Sequence, residues 1–395
     1  MTTLFDRDRA SILNTYSRLP IEIQRGEGVY LIDTDGRRYL DFFGGLAVNS
    51  LGYGYPSVLQ AVLKQINAYM HLSNLFPQLP QIELAERLCA RSGFDKVYFA
   101  NSGAETMEAA FKLVRRWSAT RGKNEIIAFS DAFHGRTMAG LSMMDSIKYR
   151  EGYGPFLEGC RTLPYNDTKA LRDAVGTKTA AVVLECIQGE GGVMPLDPAF
   201  AAELVALRDH FGFLIIDDEI QTGMGRTGKF LAAEHYDLSP DIVTLAKSLG
   251  GGLPLGAVLV RDALADVFGP GGHGSTFGGN PVACAAGIAV IDALETGVME
   301  NARLSGAQLH MGLLDLKTQF PMHISDIRGR GCMQGIVCTQ PARPVLEHCL
   351  RNGFLVNVTR DRVIRLLPPL IITEQNIETA LMHLRNAFAD WQLPV

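Results

Sequence analysis

Several features on which whole classes of protein depend are missing from this sequence. No run of lysines and arginines occurs in its 395 residues, and 37 basic against 42 acidic side chains leave a net charge of −5. A nucleic-acid partner, which needs clustered positive charge, is therefore not expected. Seven cysteines stand at 89, 160, 186, 284, 332, 338 and 349 without one C-x-x-C pair. An odd, scattered set reads as reduced thiols in a reducing compartment, and no metal site is expected from it. The opening "MTTLFDRDRASILN" is too charged for a secretory h-region, and no apolar stretch reads as long enough to span a bilayer. Internal repeats and low-complexity linkers are lacking too. The expectation is a cytoplasmic globular protein with no membrane partner. Its 47% hydrophobic content over this length is ample for a core and two packed units.

What is present is an alternation. "GVYLIDTDGRRYLDFFGG" reads as a hairpin of two apolar strands around a D-G turn. Beyond Leu51, apolar β-type runs alternate with helix-length segments: "VYFA" (97–100), "EIIAF" (125–129), "AAVVLE" (180–185), "FLIIDD" (213–218), "DIVTLAK" (241–247) and "GAVLVR" (256–261). Near-continuous apolar strands separated by helices predict a mostly parallel sheet covered on both faces. From Pro281 a long helix follows, then strands ("IVCT", "FLVNV", "VIRLL") mixed with helices. The expected architecture is a large α/β domain over 51–285, with a smaller α+β unit built from both chain ends, 1–50 and 286–395.

One stretch, "IIDDEIQTGMGRTGKF" (215–230), satisfies two nucleotide-binding patterns at once. Neither survives inspection. A phosphate-binding P-loop needs Ser or Thr after its lysine to hold magnesium, and Lys229 is followed by Phe230. A dinucleotide fingerprint needs its first glycine directly after the strand, whereas the strand ends near Asp218 and Gly223 comes five residues on. The glycines need another reason, such as a turn or a close backbone approach.

Asp218 and Lys247 are more informative. Each sits at the carboxyl end of an apolar β-type run, where ligands of open α/β sheets bind. A lysine at such a mouth can be desolvated, which lowers its pKa and frees the amine for Schiff-base chemistry. An acid opposite can hold a pyridinium nitrogen protonated. Pyridoxal phosphate fits that pair, although a plain ion pair at the sheet edge fits it equally. Further along, "ANSGAE" places Ser102, Gly103 and Ala104 at a helix N-terminus suited to phosphate, where an ordinary N-cap is the simpler alternative. In "AFHGRT", Phe133 could cover an aromatic ring and Arg136 could clamp a carboxylate. Ser275 and Thr276 supply hydroxyls in a glycine-rich loop. Arg365, between apolar residues of "VIRLLPPL", needs an anion from the protein or from a ligand.

Taken in order, "NSGAE", "AFHGRT", "QGEGG", "DEIQTGMGRTG", "TLAKSLGGGLPLGA", "GSTFGGNP" and "RLLPPL" resemble the class III pyridoxal-phosphate aminotransferases from about Gly28 to Leu370. The resemblance implies the type I fold of pyridoxal-phosphate transferases and a homodimer with shared sites. Within the class, "GSTFGGNP", "RLLPPL" and the compact length are most similar to the acetylornithine subgroup. The implied reaction is N2-acetyl-L-ornithine plus 2-oxoglutarate giving N-acetylglutamate 5-semialdehyde plus L-glutamate, a ping-pong step of arginine biosynthesis. Succinylornithine, ornithine and 4-aminobutyrate are the alternative donors.

By the same resemblance, Lys247 carries the cofactor as a Schiff base and moves the proton, while Asp218 pairs with the pyridinium nitrogen. Gln221 lies by the phenolic oxygen. Ser102, Gly103 and Ala104 bind the phosphate and Phe133 stacks on the ring. Thr276 reaches the phosphate from the partner subunit, and Ser275 lies near the donor. Arg136 clamps the donor's α-carboxylate and Arg365 that of glutamate. Glu190 is similar to the acid that neutralises the second arginine while the acylated donor reacts. The chain departs from the family pattern at Thr106-Met107, at Tyr53 and Tyr55 in "LGYGYP", at Pro77 and at Ser248 in "AKSLGGG". These positions bear on the choice of donor rather than on the chemistry.

Overall fold

The computed structural model describes residues 3–392. Its centre is a seven-stranded sheet in the order Lys96–Ala100, Gly256–Val260, Ile242–Leu245, Leu214–Asp218, Thr179–Leu184, Glu125–Phe129 and Cys160–Leu163. Gly256–Val260 runs antiparallel to both neighbours and the other pairings are parallel. All six strands expected from apolar runs are present. The edge strand Cys160–Leu163 was not anticipated, because "CRTL" is neither continuously apolar nor alternating.

Strand periodicity explains why the central runs carry almost no polar residue. Val182, Leu184 and Ile215 enter one hydrophobic cluster, while Ala181, Val183, Leu214 and Ile216 enter another on the opposite face. A strand buried on both faces must be apolar at every position. The helix Gly103–Ser118 covers the second face with Met107, Ala110 and Val114. The helix Pro281–Ala293 covers the first, packed against Pro56–Ala68 and Leu79–Ser92.

The chain ends meet in a four-stranded sheet. Ile23–Glu27, Tyr30–Asp33 and Arg38–Asp41 form an antiparallel meander, and Phe354–Leu355 adds beside Arg38–Asp41 in parallel. A second sheet orders Ile324–Arg330, Met333–Cys338, Val363–Leu366 and Asn357–Thr359. The helix Pro281–Ala293 passes through the expected boundary at 285/286. The chain changes direction instead at Leu294–Val298, where Gly297 takes φ 126° before the helix Met299–Gln319.

That helical run corrects one expectation. Pro281–Gln319 contains a window of mean hydropathy 1.7, long and apolar enough by those measures to cross a bilayer. Half of the window is buried inside the protein, and the non-helical Thr296 and Gly297 divide the run in two. Its apolar character matches its place as a core helix over the sheet.

Candidate active site

Adjacent parallel strands bring the first two residues together. Asp218 ends its strand in register with Thr244 on the next, and Lys247 follows three residues later at the head of a short 3-10 turn. Both line a cleft of about 430 Å³ at the carboxyl ends of the strands. Burial pushes the Lys247 amine down to about 8, helped by the nearby charge of Arg365 and opposed by Asp218. About a tenth of that amine is therefore neutral at pH 7, far more than for a lysine in water.

Asp218 is almost wholly buried. One of its oxygens meets His134 Nδ1 at 2.8 Å, and the other accepts from Ile220 N at 3.2 Å and Thr244 Oγ1 at 3.4 Å. His134 has no exposed surface. Burial disfavours its charged form, but the Asp218 hydrogen bond and the charges of Asp218 and Glu185 outweigh that and raise its pKa. Glu185 also lines the cleft and accepts from Phe133 N at 3.0 Å and Gly189 N at 3.1 Å. Desolvation first, then the charge of Asp218, raise it to about 7 against the pull of His134.

The helix Gly103–Ser118 points its N-terminus at the cleft. Ser102 caps it by accepting from Glu105 N at 3.2 Å. Gly103 and Ala104 lie one turn too early for intrahelical bonds, and their N–H groups find no partner among the described residues. The departures from the family pattern serve this helix. Thr106 Oγ1 donates to Gly103 O at 2.8 Å, and Met107 Sδ lies 3.4 Å from Thr244 Oγ1. Ser248 ties Lys247's turn to the loop before Val48, donating to Ala47 O at 2.8 Å. Tyr53 donates to the buried Asp41 at 2.6 Å.

Two guanidiniums serve the same cleft. Arg136 is exposed, its guanidinium carbon 4.1 Å from the Tyr149 ring centre and 5.6 Å from that of Phe133. Arg365 is fully buried. Its Nε donates to Asn357 Oδ1 at 2.9 Å and its Nη1 to Gln221 Oε1 at 3.2 Å, while Glu190 Oε1 stands 2.7 Å from Nη1. A side chain at Gly189 would place its Cβ 2.2 Å from Gln221 Oε1, so glycine there leaves room for the Gln221 amide beside Arg365.

Of the twelve residues singled out from sequence, nine line the cleft: Ser102, Gly103, Ala104, Phe133, Arg136, Glu190, Asp218, Gln221 and Lys247. Arg365 adjoins it through Glu190 and Gln221. Ser275 and Thr276 stand outside; Ser275 Oγ instead bonds Asn101 Nδ2 at 3.2 Å, and Thr276 is exposed. Sequence reasoning missed His134, Glu185, Asn357 and Tyr149. The signal for His134 lay inside "AFHGRT", between two residues that were weighed.

The residues suit a flat heteroaromatic ring bearing a phosphate and an aldehyde. Free N–H groups at a helix start take the phosphate, a buried carboxylate faces a ring cation, an aromatic wall covers the face, and a desolvated amine meets the aldehyde. This sheet and this lysine–acid pair define a pyridoxal-phosphate transferase of fold type I. A model of the "Aminotransferase class-III" family matches residues 12–388. The chain belongs to that family. It is 44% identical over 374 residues to acetylornithine aminotransferase 1 of Bordetella bronchiseptica, covering 93% of this chain and 95% of that one. Ornithine aminotransferase of Toxoplasma gondii ME49 superimposes with a TM-score of 0.93 at 33% identity, over 98% of this chain and 94% of that one. An amine transaminase of an uncultivated Pseudomonas species, solved with pyridoxal phosphate bound, gives a TM-score of 0.89 at 29% identity, over 95% and 97%.

Proposed function

We propose that this protein is the pyridoxal-phosphate-dependent aminotransferase that moves the terminal amino group of N2-acetyl-L-ornithine to 2-oxoglutarate. The products are N-acetyl-L-glutamate 5-semialdehyde and L-glutamate, and the step belongs to arginine biosynthesis. The observation that carries this reading is a pair of arginines beside one lysine, one of them ion-paired with an acid, Glu190. The names of the curated relatives support the same donor. Seven unpaired thiols support a cytoplasmic setting.

The cofactor, when bound, supplies an aldehyde that accepts an amino group and a ring that withdraws electrons from the carbon losing its proton. The chain's own residues do the rest. Gly103 and Ala104 fix the phosphate with Ser102, and Phe133 covers the ring. Asp218, fastened by His134, Thr244 and the Ile220 amide, holds a negative charge where the ring nitrogen is protonated. Gln221 stands by the phenolic oxygen. The Nζ of Lys247, desolvated at the cleft floor, would be placed to take up and hold the proton of the substrate carbon.

One cleft must then accept two substrates that place their α-carboxylates differently. Arg136 takes that of the acylated donor. Arg365 takes that of glutamate, and a free Arg365 would attract the wrong carboxylate in the first half-reaction. Glu190, 2.7 Å from Arg365, neutralises it in that state and moves aside for glutamate. Ornithine is the second reading, favoured by the close superposition on an ornithine aminotransferase.

We place a second copy of the chain against the face where the cleft opens. Leu59, Leu63, Met70, Leu75, Phe76 and Leu79 are all more than half exposed, as is Phe277, which lines a space sharing Asn101, Leu253 and Pro254 with the cleft. An apolar strip of that length on a soluble enzyme marks an interface. In the dimer, Thr276 reaches the partner's phosphate and Ser275 stands near the donor.

The test is spectroscopic. Adding N2-acetylornithine without a keto acid is expected to bleach the cofactor band, and 2-oxoglutarate to restore it. A yellow protein that bleaches with ornithine and not with its acetylated form selects the second reading. Glu190→Ala is expected to let α-amino acids react faster as donors; unchanged donor selectivity refutes the switch.

A further inference from the structure

The glycine-rich "GMGRTG", left without a nucleotide to bind, holds a side chain that the mechanism above does not use. Arg226 has no exposed surface at all. No carboxylate answers it: its Nη1 donates to two backbone carbonyls, Cys332 O at 3.1 Å and Pro368 O. Nε and Nη2 meet no partner among the described residues. Burial pushes the guanidinium down to about 10, so it is still a cation at neutral pH. A buried cation on so few acceptors is costly, and a packed apolar residue would avoid the cost.

The two carbonyls explain the placement. Cys332 immediately precedes the strand Met333–Cys338, and Pro368 stands two residues beyond Val363–Leu366. These strands pair antiparallel, with Gly335 opposite Arg365 and Gln334 opposite Leu366. One guanidinium therefore grips both strands at the same end, a few residues from Arg365, which adjoins the cleft through Glu190 and Gln221. The backbone adds to the grip, since Cys332 N donates to Arg226 O at 2.9 Å. Room for this contact comes from glycine. A Cβ on Gly331 would stand 2.4 Å from the carbonyl carbon of Thr227, and Gly331 itself takes φ 52°. The same loop begins at Asp218 and passes through Gln221, whose Oε1 holds Arg365 from the other side.

We propose that Arg226 is a positioning residue: it latches the loop carrying Asp218 and Gln221 to the strand pair carrying Arg365, and so sets where the glutamate clamp stands over the cleft. This rests on the reading of Arg365 as that clamp. A clamp misplaced by an ångström loses much of its value, whereas Arg136 stands on a different loop and does not feel the latch.

The holoenzyme Arg226→Gln is the test, with Arg226→Lys beside it. In Arg226→Gln the KM for 2-oxoglutarate is expected to rise about tenfold or more, while the KM for acetylornithine stays within about twofold. Arg226→Lys, which keeps the charge and a donor, is expected to recover most of the loss. Independently of activity, amide exchange in Val363–Leu366 of the apo protein is expected to speed up, with Thr179–Leu184 unchanged. The proposal is overturned if both KM values rise in proportion, if neither moves, or if exchange in Val363–Leu366 is unaltered. Arg365→Lys separates the two possible failures. An unchanged 2-oxoglutarate KM there sinks the clamp reading and the latch with it. A raised one there, with Arg226→Gln unaffected, sinks the latch alone. Should Arg226→Gln not fold, Gly331→Ala carries the same test, since its Cβ presses the two loops apart at the latch.

Discussion

Lys247 occupies a backbone conformation that few side chains adopt, with φ 44°. Left-handed strain of that kind costs about 1–3 kcal/mol and persists only where the surroundings hold it. Here the strand Ile242–Leu245 on one side and the Ser248 hydroxyl on Ala47 O on the other do so. The reward is an amine aimed into the cleft and stripped of water. Its pKa of about 8 lies below the ordinary 10.5, so the folded chain releases this proton before the unfolded chain does. Stability of the apo protein is then expected to fall as pH drops from 10.5 through about 8, where burial of the charge is felt in full. Capture of pyridoxal phosphate by the apo protein should accelerate with pH and level off just above 8. Stopped-flow absorbance measures it. A rate still climbing at pH 10 would mean the amine is not desolvated, and Lys247→Met should remove this contribution to apo stability between about pH 8 and 10.5.

Among the elements, the sheet ends are where polar side chains matter most. Lys123 lies at the amino ends of the central strands, opposite the cleft. Its Nζ donates to Phe211 O at 2.8 Å and Thr179 O at 3.1 Å. That joins the last turn of the helix Pro198–Phe211 to the first residue of Thr179–Leu184, and answers carbonyls that a helix C-terminus leaves open. Lys123→Met is expected to destabilise the fold by about 1–3 kcal/mol, read from urea midpoints, with kcat and KM unchanged. An effect on turnover would mean the two ends of the sheet are coupled. The strands themselves were legible in sequence, because burial on both faces forces unbroken apolar runs such as "AAVVL". Cys160–Leu163 was not, since an edge strand has one neighbour and its pattern is diluted.

For the molecule as a whole, the cleft borders a surface that looks unfinished. Leu75 is 88% exposed and Leu79 72%, far beyond what a lone apolar side chain in water explains when several neighbours match it. A second space, lined by Asn101, Pro254, Phe277 and Asn280, shares Asn101, Leu253 and Pro254 with the cleft. Leu75→Glu combined with Leu79→Glu is expected to shift the protein to a monomer in size-exclusion chromatography. Turnover should fall with it if Thr276 completes the partner's site as proposed. A double variant that remains dimeric, or a monomer with full activity, contradicts the shared site.

The sequence by itself determined the strand order's raw material, the apolar core and the chemistry of the lysine–acid pair. Each of these rests on local pattern: runs, spacing and residue type at strand ends. Most of the proposed site could be named that way, because its residues sit in short blocks whose turns and caps are encoded nearby. Convergence was the work of the tertiary structure alone. His134 became Asp218's partner because the strands Glu125–Phe129 and Leu214–Asp218, far apart in the chain, run parallel on either side of Thr179–Leu184. Glu190 met Arg365 across 175 residues of sequence, because the strand Val363–Leu366 of the second sheet packs against the turn that carries Glu190. Arg226 gained its meaning only when Cys332 and Pro368 arrived from the other unit. Such contacts depend on packing between distant segments, and no pattern within either segment records which partner will come.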